Sequence, residues 1–380
     1  MKILYFYPEN PLLLSQGNHA RALALLHYFQ DRNIEVDFVS ENFNDKNTLL
    51  KNEQLISEKL VANHFFIRKF EKNKSKLKYF FRYSLLNKIF RKLKRFNNVM
   101  PGQQNDFNEI LKKNSYDFIV ISYASWASLI YKNKHLKNAK LVVDTHDFLT
   151  SQFKNSKNFK LGKFFSTEIK LLQLFDKIIV ISTEEKYLFS QFLNNEVEII
   201  SHPLVSNHFQ SINKEYDIIY IASNNTHNVT GVKWFFNNVY PLLNKSMKIM
   251  VIGGICKEIS EYENVTKIDF AANLYNYYTN SKIAICPMFS GTGLKIKVIE
   301  AMSFGLPIVC NERAVDGLLN KTNNGCLVTN DKQEFADYIH KLLVDEDFYS
   351  EISFQSKKYF TDNNDIQSTY KSIDKIFNFN

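Results

Sequence analysis

Cysteine is sparse in this chain, and what there is lies scattered. Cys256, Cys286, Cys310 and Cys326 are the only four in 380 residues. No pair has the spacing of a metal knuckle or a redox motif, which argues against a zinc-stapled or thiol-exchange protein. Three sit in the apolar runs ICKEI, AICPM and IVCNE, the setting of small core residues, and a reducing compartment fits. Long apolar runs are missing too. The longest, FIVISYASWASLIY, is too short and too polar for a membrane span. The opening MKILYFYP turns polar by Glu9, too early for a secretory signal. No short-period repeat or low-complexity tract is present. Together these absences point to a cytoplasmic protein.

Glycine is also scarce, 11 in 380, against about 7% in an average protein. Each position is therefore informative, and seven of the 11 fall from Gly253 onward. The length exceeds that at which single cores usually stop growing, so two domains are expected. The net charge of +9 suggests an anionic partner: phosphate, nucleic acid or membrane surface.

Short runs rich in Ile and Val recur: KILYFYP, VDFVS, DFIVIS, KLVVDT, KIIVIS, VEIIS, DIIYIA, KIMVIG, KIAICP and LPIVCN. They lack strict alternation, as strands buried on both faces do. Helical patterns fall between many of them, for example HARALALLHYFQDRN ahead of VDFVS. Alternating strand and helix predicts a parallel α/β sheet. The series runs twice. One set ends at VEIISHPL, a polar break SNHFQSINKEY follows, and a second set opens at Asp217. The domain boundary is expected near 205–215, with residues 1–205 as the first domain.

One segment stands apart. Residues 68–96 carry twelve Lys or Arg with Glu71 the only acid, interleaved with Phe, Tyr, Leu and Ile. Such a surface suits anionic lipid. It equally suits a helical insertion with a solvated basic face and its aromatics packed on the domain. No nucleic-acid motif accompanies it, and no nucleic-acid partner is expected.

The densest glycine group is SGTG, Ser290 to Gly293, between the strand KIAICP and a helix. Glycines at such a turn let backbone N–H groups approach a ligand, and the helix start behind them favours anions. Loops at the carboxyl ends of parallel strands are where ligands bind. Lys295 and Lys297 are poorly placed for the positive end of a helix dipole. A bound diphosphate explains them. The alternative is a helix capped by Thr292 with a surface Lys297–Glu300 pair. On a helical wheel Lys297 and Glu300 share a face, while Lys295 points elsewhere, as a secondary phosphate contact or a plain surface lysine. Gly305 suits the C′ position of this helix.

The segment SGTGLKIKVIEAMSFGLPIVCNERAVDGL, Ser290 to Leu318, resembles the donor-binding segment of retaining GT-B glycosyltransferases of the family 4 type. The glycine loop, the Lys before the Glu, the EAM tripeptide and the GxPIV strand match in order. DIIYIASNNTHNVTGVKWFFNNVYPLL is similar to that family's first C-domain strand, loop and helix. GNHARALALLHYFQDRNIEVDFVS, VVDTHDF and DKIIVIST are looser matches in the first half. The resemblance implies an α/β GT-B fold, two Rossmann-like domains facing across a cleft. Residues 1–205 would lie on the acceptor side and 206–360 would hold the nucleotide sugar. Residues 361–380 would form a helix crossing back.

By the same resemblance, Glu300 would bind the ribose hydroxyls and Lys297 the diphosphate, with Lys295 secondary. Ser290, Gly291, Thr292, Gly293 and Leu294 would meet the donor phosphate or sugar. Ser223, Asn224 and Asn228 would approach the diphosphate from the first C-domain loop. Many relatives carry a second acid where Thr292 stands, and a cation in the loop that reads ASNNTHN here.

In the first half, His146 and Asp147 follow the strand LVVDT. The resemblance implies that, with Lys297, they are the catalytic residues. The plainer alternative for His146 is a strand-end cap beside Asp147. By the resemblance Gly17, Asn18, His19 and Arg21 would form an acceptor or phosphate loop, with Arg21 the best phosphate candidate; Gly17 as a plain turn and Asn18 as a helix cap are the alternatives. Ser182 is an N-cap or a ligand contact. No metal or other cofactor is expected, the nucleotide sugar being a co-substrate.

The implied reaction is transfer of a sugar, with retention, to an acceptor hydroxyl in capsule, lipopolysaccharide or lipid-linked glycan synthesis, with a peripheral place on the inner membrane face as the alternative to a free cytoplasmic one. A nucleotide-sugar epimerase and a non-catalytic nucleotide-sugar-binding protein are the alternatives.

Overall fold

The structure is a computed structural model. It describes residues 1–13, 17–42, 46–69, 80, 85, 96–100, 102–201, 203–208, 214–271, 273–291 and 293–379. Most of the basic segment 68–96 therefore lies outside the described residues, as does Thr292.

The chain divides into two compact units. One is Met1–Ile200 with Ile373–Asn380, the other Ser201–Ser372. Each is built on a parallel sheet. Among the described residues the first unit has seven strands: β1 Lys2–Phe6, β2 Glu35–Glu41, β3 Asn63–Ile67, β4 Phe118–Ser122, β5 Lys140–Asp144, β6 Lys177–Val180 and β7 Glu196–Ile199. They lie in the order β3-β2-β1-β4-β5-β6-β7. The second has six: β8 Tyr216–Ile221, β9 Ile249–Ile252, β10 Val265–Ile268, β11 Ser281–Cys286, β12 Ile308–Cys310 and β13 Cys326–Val328. Their order is β10-β9-β8-β11-β12-β13. This is the α/β architecture of two parallel sheets that the doubled strand series predicts.

The apolar runs form strands because both faces of each sheet are covered. In the second unit, Ile218, Tyr220, Val251 and Ile283 pack into one core, while their neighbours Ile219, Met250, Ile252 and Ala284 pack into another. Successive side chains of a strand point to opposite faces, so a continuous apolar run serves two cores at once. The helix Ile296–Ser303 covers the second of these with Val298, Ile299, Ala301 and Met302. That seat fixes which way its polar residues point.

The helix Ile366–Phe377 contributes to both units, since the division falls between Ser372 and Ile373. In the first unit Phe377 is fully buried, edge-on to Phe29 at 5.2 Å and to Phe118 at 5.1 Å. Asp374 accepts from Arg32 at 2.9 and 2.8 Å and from the Tyr28 hydroxyl at 2.9 Å.

Candidate functional site

The strand order of the second sheet reverses between β8 and β11, and open parallel sheets bind ligands at the carboxyl ends beside such a reversal. Two loops leave there. One follows β8 and enters the helix Thr226–Trp234, with Asn225 as N-cap accepting from Asn228 N at 2.9 Å. The other follows β11, carries the glycines and enters the helix Ile296–Ser303. They come very close. A Cβ on Gly231 would stand 1.8 Å from the carbonyl oxygen of Pro287, so only glycine allows this packing. Gly291 and Gly293 both have positive φ, 99° and 75°, a conformation that side chains disfavour.

The lysines differ from the surface pair the sequence allows. The helix begins at Ile296, with Lys295 in extended conformation at the N-cap and no side-chain cap. Lys295 is buried, and its Nζ donates to the Gly293 carbonyl at 2.6 Å. It braces the glycine loop from inside and is not a plain surface lysine. Lys297 does not pair with Glu300 on the surface either. Its Nζ donates to Asn228 Oδ1 at 2.7 Å and sits 5.3 Å from the centre of the Tyr220 ring. Asn228 in turn donates to the Ser223 carbonyl at 2.9 Å. Burial lowers the pKa of Lys297, against weaker support from Cys286 and Glu300. A partly buried cation held in this way gains from an anion beside it.

Glu300 accepts from the Tyr278 hydroxyl at 3.3 Å. Burial pushes its carboxyl up to about 7, with Tyr278 and Lys297 pulling the other way. His227, on the first turn after β8, places Nδ1 2.7 Å from Ser290 Oγ. Asn224 turns aside, donating to Glu258 at 3.3 Å. His227 and Tyr278 were not among the expected site residues. His227 is adjacent to Asn228 and was legible there as a polar residue of the loop lacking Arg or Lys. Tyr278 carries no local signal, since its link to Glu300 is tertiary.

The first sheet reverses between β1 and β4, and a second polar cluster gathers there. His146 follows β5 with φ 57° and Tyr123 follows β4 with φ 66°. Left-handed backbone at residues other than glycine costs about 1–3 kcal/mol and clusters at functional sites. Their rings stack at 4.4 Å. His146 Nε2 lies 3.2 Å from both Asp144 Oδ2 and Ser122 Oγ, so Nε2 carries the proton toward the carboxylate. Burial lowers its pKa to about 4, which keeps the ring neutral at neutral pH. Asp147 lines a cavity of about 410 Å³ with Tyr7, Glu9, Asn18, Tyr123 and Gln152. Burial pushes its carboxyl up to about 6.

Arg21, the expected phosphate candidate, is held by protein groups. Its guanidinium is buried and committed: Nε donates to both Asp144 oxygens at 3.1 and 2.9 Å, one terminal nitrogen to Asp144 at 2.8 Å and the other to the Ile200 carbonyl at 2.8 Å. Burial alone would raise the Asp144 pKa, but Arg21 and His146 hold it low. His19 is buried and bonded to Glu9. Asn18 lies inside the helix Gly17–Asp31 and bonds the Tyr123 hydroxyl, so it is not that helix's cap. Gly17, at the first helical position, is exposed. Ser182 is an N-cap, accepting from Glu185 N at 3.2 Å. At the ends of the basic segment Arg68 is paired with Asp106, and Phe96 is buried against Phe164. Among the described residues no helix is long and apolar enough to cross a membrane.

Residues 215–345 match the family model described as "Glycosyl transferases group 1". A Klebsiella pneumoniae protein described as an uncharacterized 44.6 kDa protein in the cps region is 22% identical over 324 residues, 77% of this chain and 82% of that protein. Solved structures share the whole fold. Anabaena Alr3699/HepE in complex with UDP aligns with a TM-score of 0.72 at 12% identity, covering 100% of both chains. An S. aureus TarM variant in complex with fondaparinux, alpha-GlcNAc-glycerol and UDP gives 0.70 at 13%, covering 99% of each. The sucrose-phosphate synthase of Thermosynechococcus elongatus gives 0.70 at 11%, covering 100% of this chain and 98% of the other. The fold is therefore GT-B, and Lys297 and Glu300 lie within the segment that matches the group 1 glycosyl transferase model.

Proposed function

We propose that this chain is a glycosyltransferase of the retaining, family 4 type, moving a sugar from a nucleoside diphosphate to an acceptor hydroxyl. The observation that carries the reading is Lys297. It is a desolvated ammonium beside two left-handed glycines, at the reversal point of a parallel sheet, one helical turn before Glu300. The matched family segment and the UDP complexes among the fold relatives support it and make UDP sugars the first donors to test.

The difficult step is departure of the diphosphate as positive charge develops on the sugar. Lys297, the N–H groups of Gly291, Gly293 and Leu294, and His227 held by Ser290 stabilise that leaving group. His227 stands in the loop where a cation is otherwise missing. Glu300 accepts the ribose hydroxyls once ionised. In the first unit, the cavity beside Asp147 takes the acceptor. Asp147, with its raised pKa, is matched to taking the acceptor proton near neutral pH. His146 acts as a neutral hydrogen-bonding ring.

The cps-region relative fits a capsule glycan as product, and the charge of residues 68–96 suits an anionic lipid surface. The test is a donor assay. Purified protein is given UDP sugars with and without lipid-linked acceptor fractions, and released UDP and glycosylated acceptor are measured. UDP release that rises with acceptor supports transfer. Rearranged sugar without acceptor identifies an epimerase, and no turnover of any donor identifies a binding protein.

A further inference from the structure

A second cavity, of about 520 Å³, lies at the amino-terminal ends of β8 and β11, away from the glycine loop. Three lysines line it: Lys214 just ahead of β8, Lys282 near the start of β11, and Lys357 from the helix Glu346–Asn363. Among the described residues Glu346 is the one carboxylate in its lining. Lys282 is paired with Asp217 at 2.8 Å. Lys214 bonds a neutral group, the Tyr349 hydroxyl, at 2.9 Å. Among the described residues neither Lys214 nor Lys357 has a carboxylate within salt-bridge distance. Burial lowers the Lys214 pKa to about 8, and repulsion from Lys357 and Lys282 adds to it. Like charges around one space repel unless an anion sits between them.

The remaining walls say more about the occupant. Ser350 adds a hydroxyl-bearing residue to the lining, beside Thr279. Leu306, Leu342 and Phe304 form an apolar side. The volume is far more than an inorganic phosphate fills, since a water takes about 30 Å³. We propose that this cavity binds a small phosphate ester of a polyol, its phosphoryl group between Lys214 and Lys357 and its hydroxylated body toward Ser350. The site stands apart from the donor-site reading but touches its scaffold. Tyr278 lines the cavity and donates to Glu300, and Gly305, which closes the helix of Lys297, lines it too.

The test is calorimetry on the full chain at fixed ionic strength with glucose 6-phosphate, inorganic phosphate and glucose as probes. The sugar phosphate is expected to bind at one site, inorganic phosphate more weakly, and glucose not at all. Lys214→Met and Lys357→Met should each weaken the ester by about tenfold or more, Lys357→Arg should largely retain it, and Lys297→Met should leave it unchanged. Should the Met variants fail to fold, acetylation footprinting of the wild-type protein replaces them. The ester should then protect Lys214 and Lys357 but not the exposed Lys233. No saturable binding up to about 10 mM, or binding lost with Lys297 and kept without Lys357, overturns the proposal. Inorganic phosphate binding as tightly as the ester overturns the ester assignment.

Discussion

Lys297 Nζ and Asn228 Oδ1 stand 2.7 Å apart, joining the helix after β11 to the first turn after β8. The bond holds the ammonium between the two loops that flank the reversal of the sheet. Its partner is a neutral amide, so the full charge remains for an anion. Lys297→Ala is therefore expected to weaken UDP binding by about tenfold to a hundredfold, the range of a charge-assisted bond in a desolvated site. Asn228→Ala should cost less, since it loosens the lysine without removing it. Calorimetry with UDP measures both; unchanged affinity in the Lys297 variant would reject the phosphate role.

Glu300 gives a pH signature. Its pKa rises from 4.5 to about 7 on folding, so the folded protein binds the proton more tightly. The penalty is absent below the unfolded pKa, grows as pH rises, and is complete above about 7. Glu300→Gln should match the wild type near pH 4.5 and exceed it above pH 7, by about 1–3 kcal/mol. Urea titrations of both proteins across this range read the difference directly. Curves that stay parallel would falsify the burial argument.

Arg21 and Asp144 predict a stability defect without a donor defect. Removing one partner of a buried ion pair typically costs about 3–5 kcal/mol. Arg21→Lys keeps the charge but cannot reach Asp144 twice and Ile200 once. It should lower the melting temperature while leaving UDP affinity intact. A variant with normal melting and weakened UDP binding would restore Arg21 as a phosphate ligand.

His146 should not titrate near neutrality. Its pKa falls from 6.5 to about 4 in the fold. This contributes stability that is present above the unfolded pKa and is lost as pH falls toward 4. In NMR spectra of ¹⁵N-histidine-labelled protein, its ring signals should stay constant from about pH 8 to pH 5. A midpoint near 6.5 would show an exposed or differently bonded ring.

The core strands were readable because burial on two faces leaves an uninterrupted apolar run. Ten such runs fall on ten strands. The three without one, β3, β10 and β13, all lie at sheet edges, where partial exposure breaks the run with residues such as Asn63, His64, Thr266 and Lys267. Gly305 was legible as a C′ residue. It has φ 68°, and Leu306 N bonds the Ala301 carbonyl behind it. Partnerships across the chain were not legible. Arg21 meets Asp144 across 123 residues, and Tyr278 meets Glu300 from another element. Lys295 looked exposed because a wheel assumes the helix has started, whereas the helix begins one residue later.

The packing of Phe377 and Asp374 has a consequence for the order of events during synthesis. Translation delivers Met1–Ile200 first, yet the ring that fills the space beside Phe29 and Phe118 comes only after Ser201–Ser372 has been made. Until then the leading half of the nascent polypeptide carries an open apolar slot, and Arg32 lacks its bonds to Asp374. A fragment cut at Ile200 inherits that same unfinished state, and supplying the last helix as a separate peptide is the direct way to complete it.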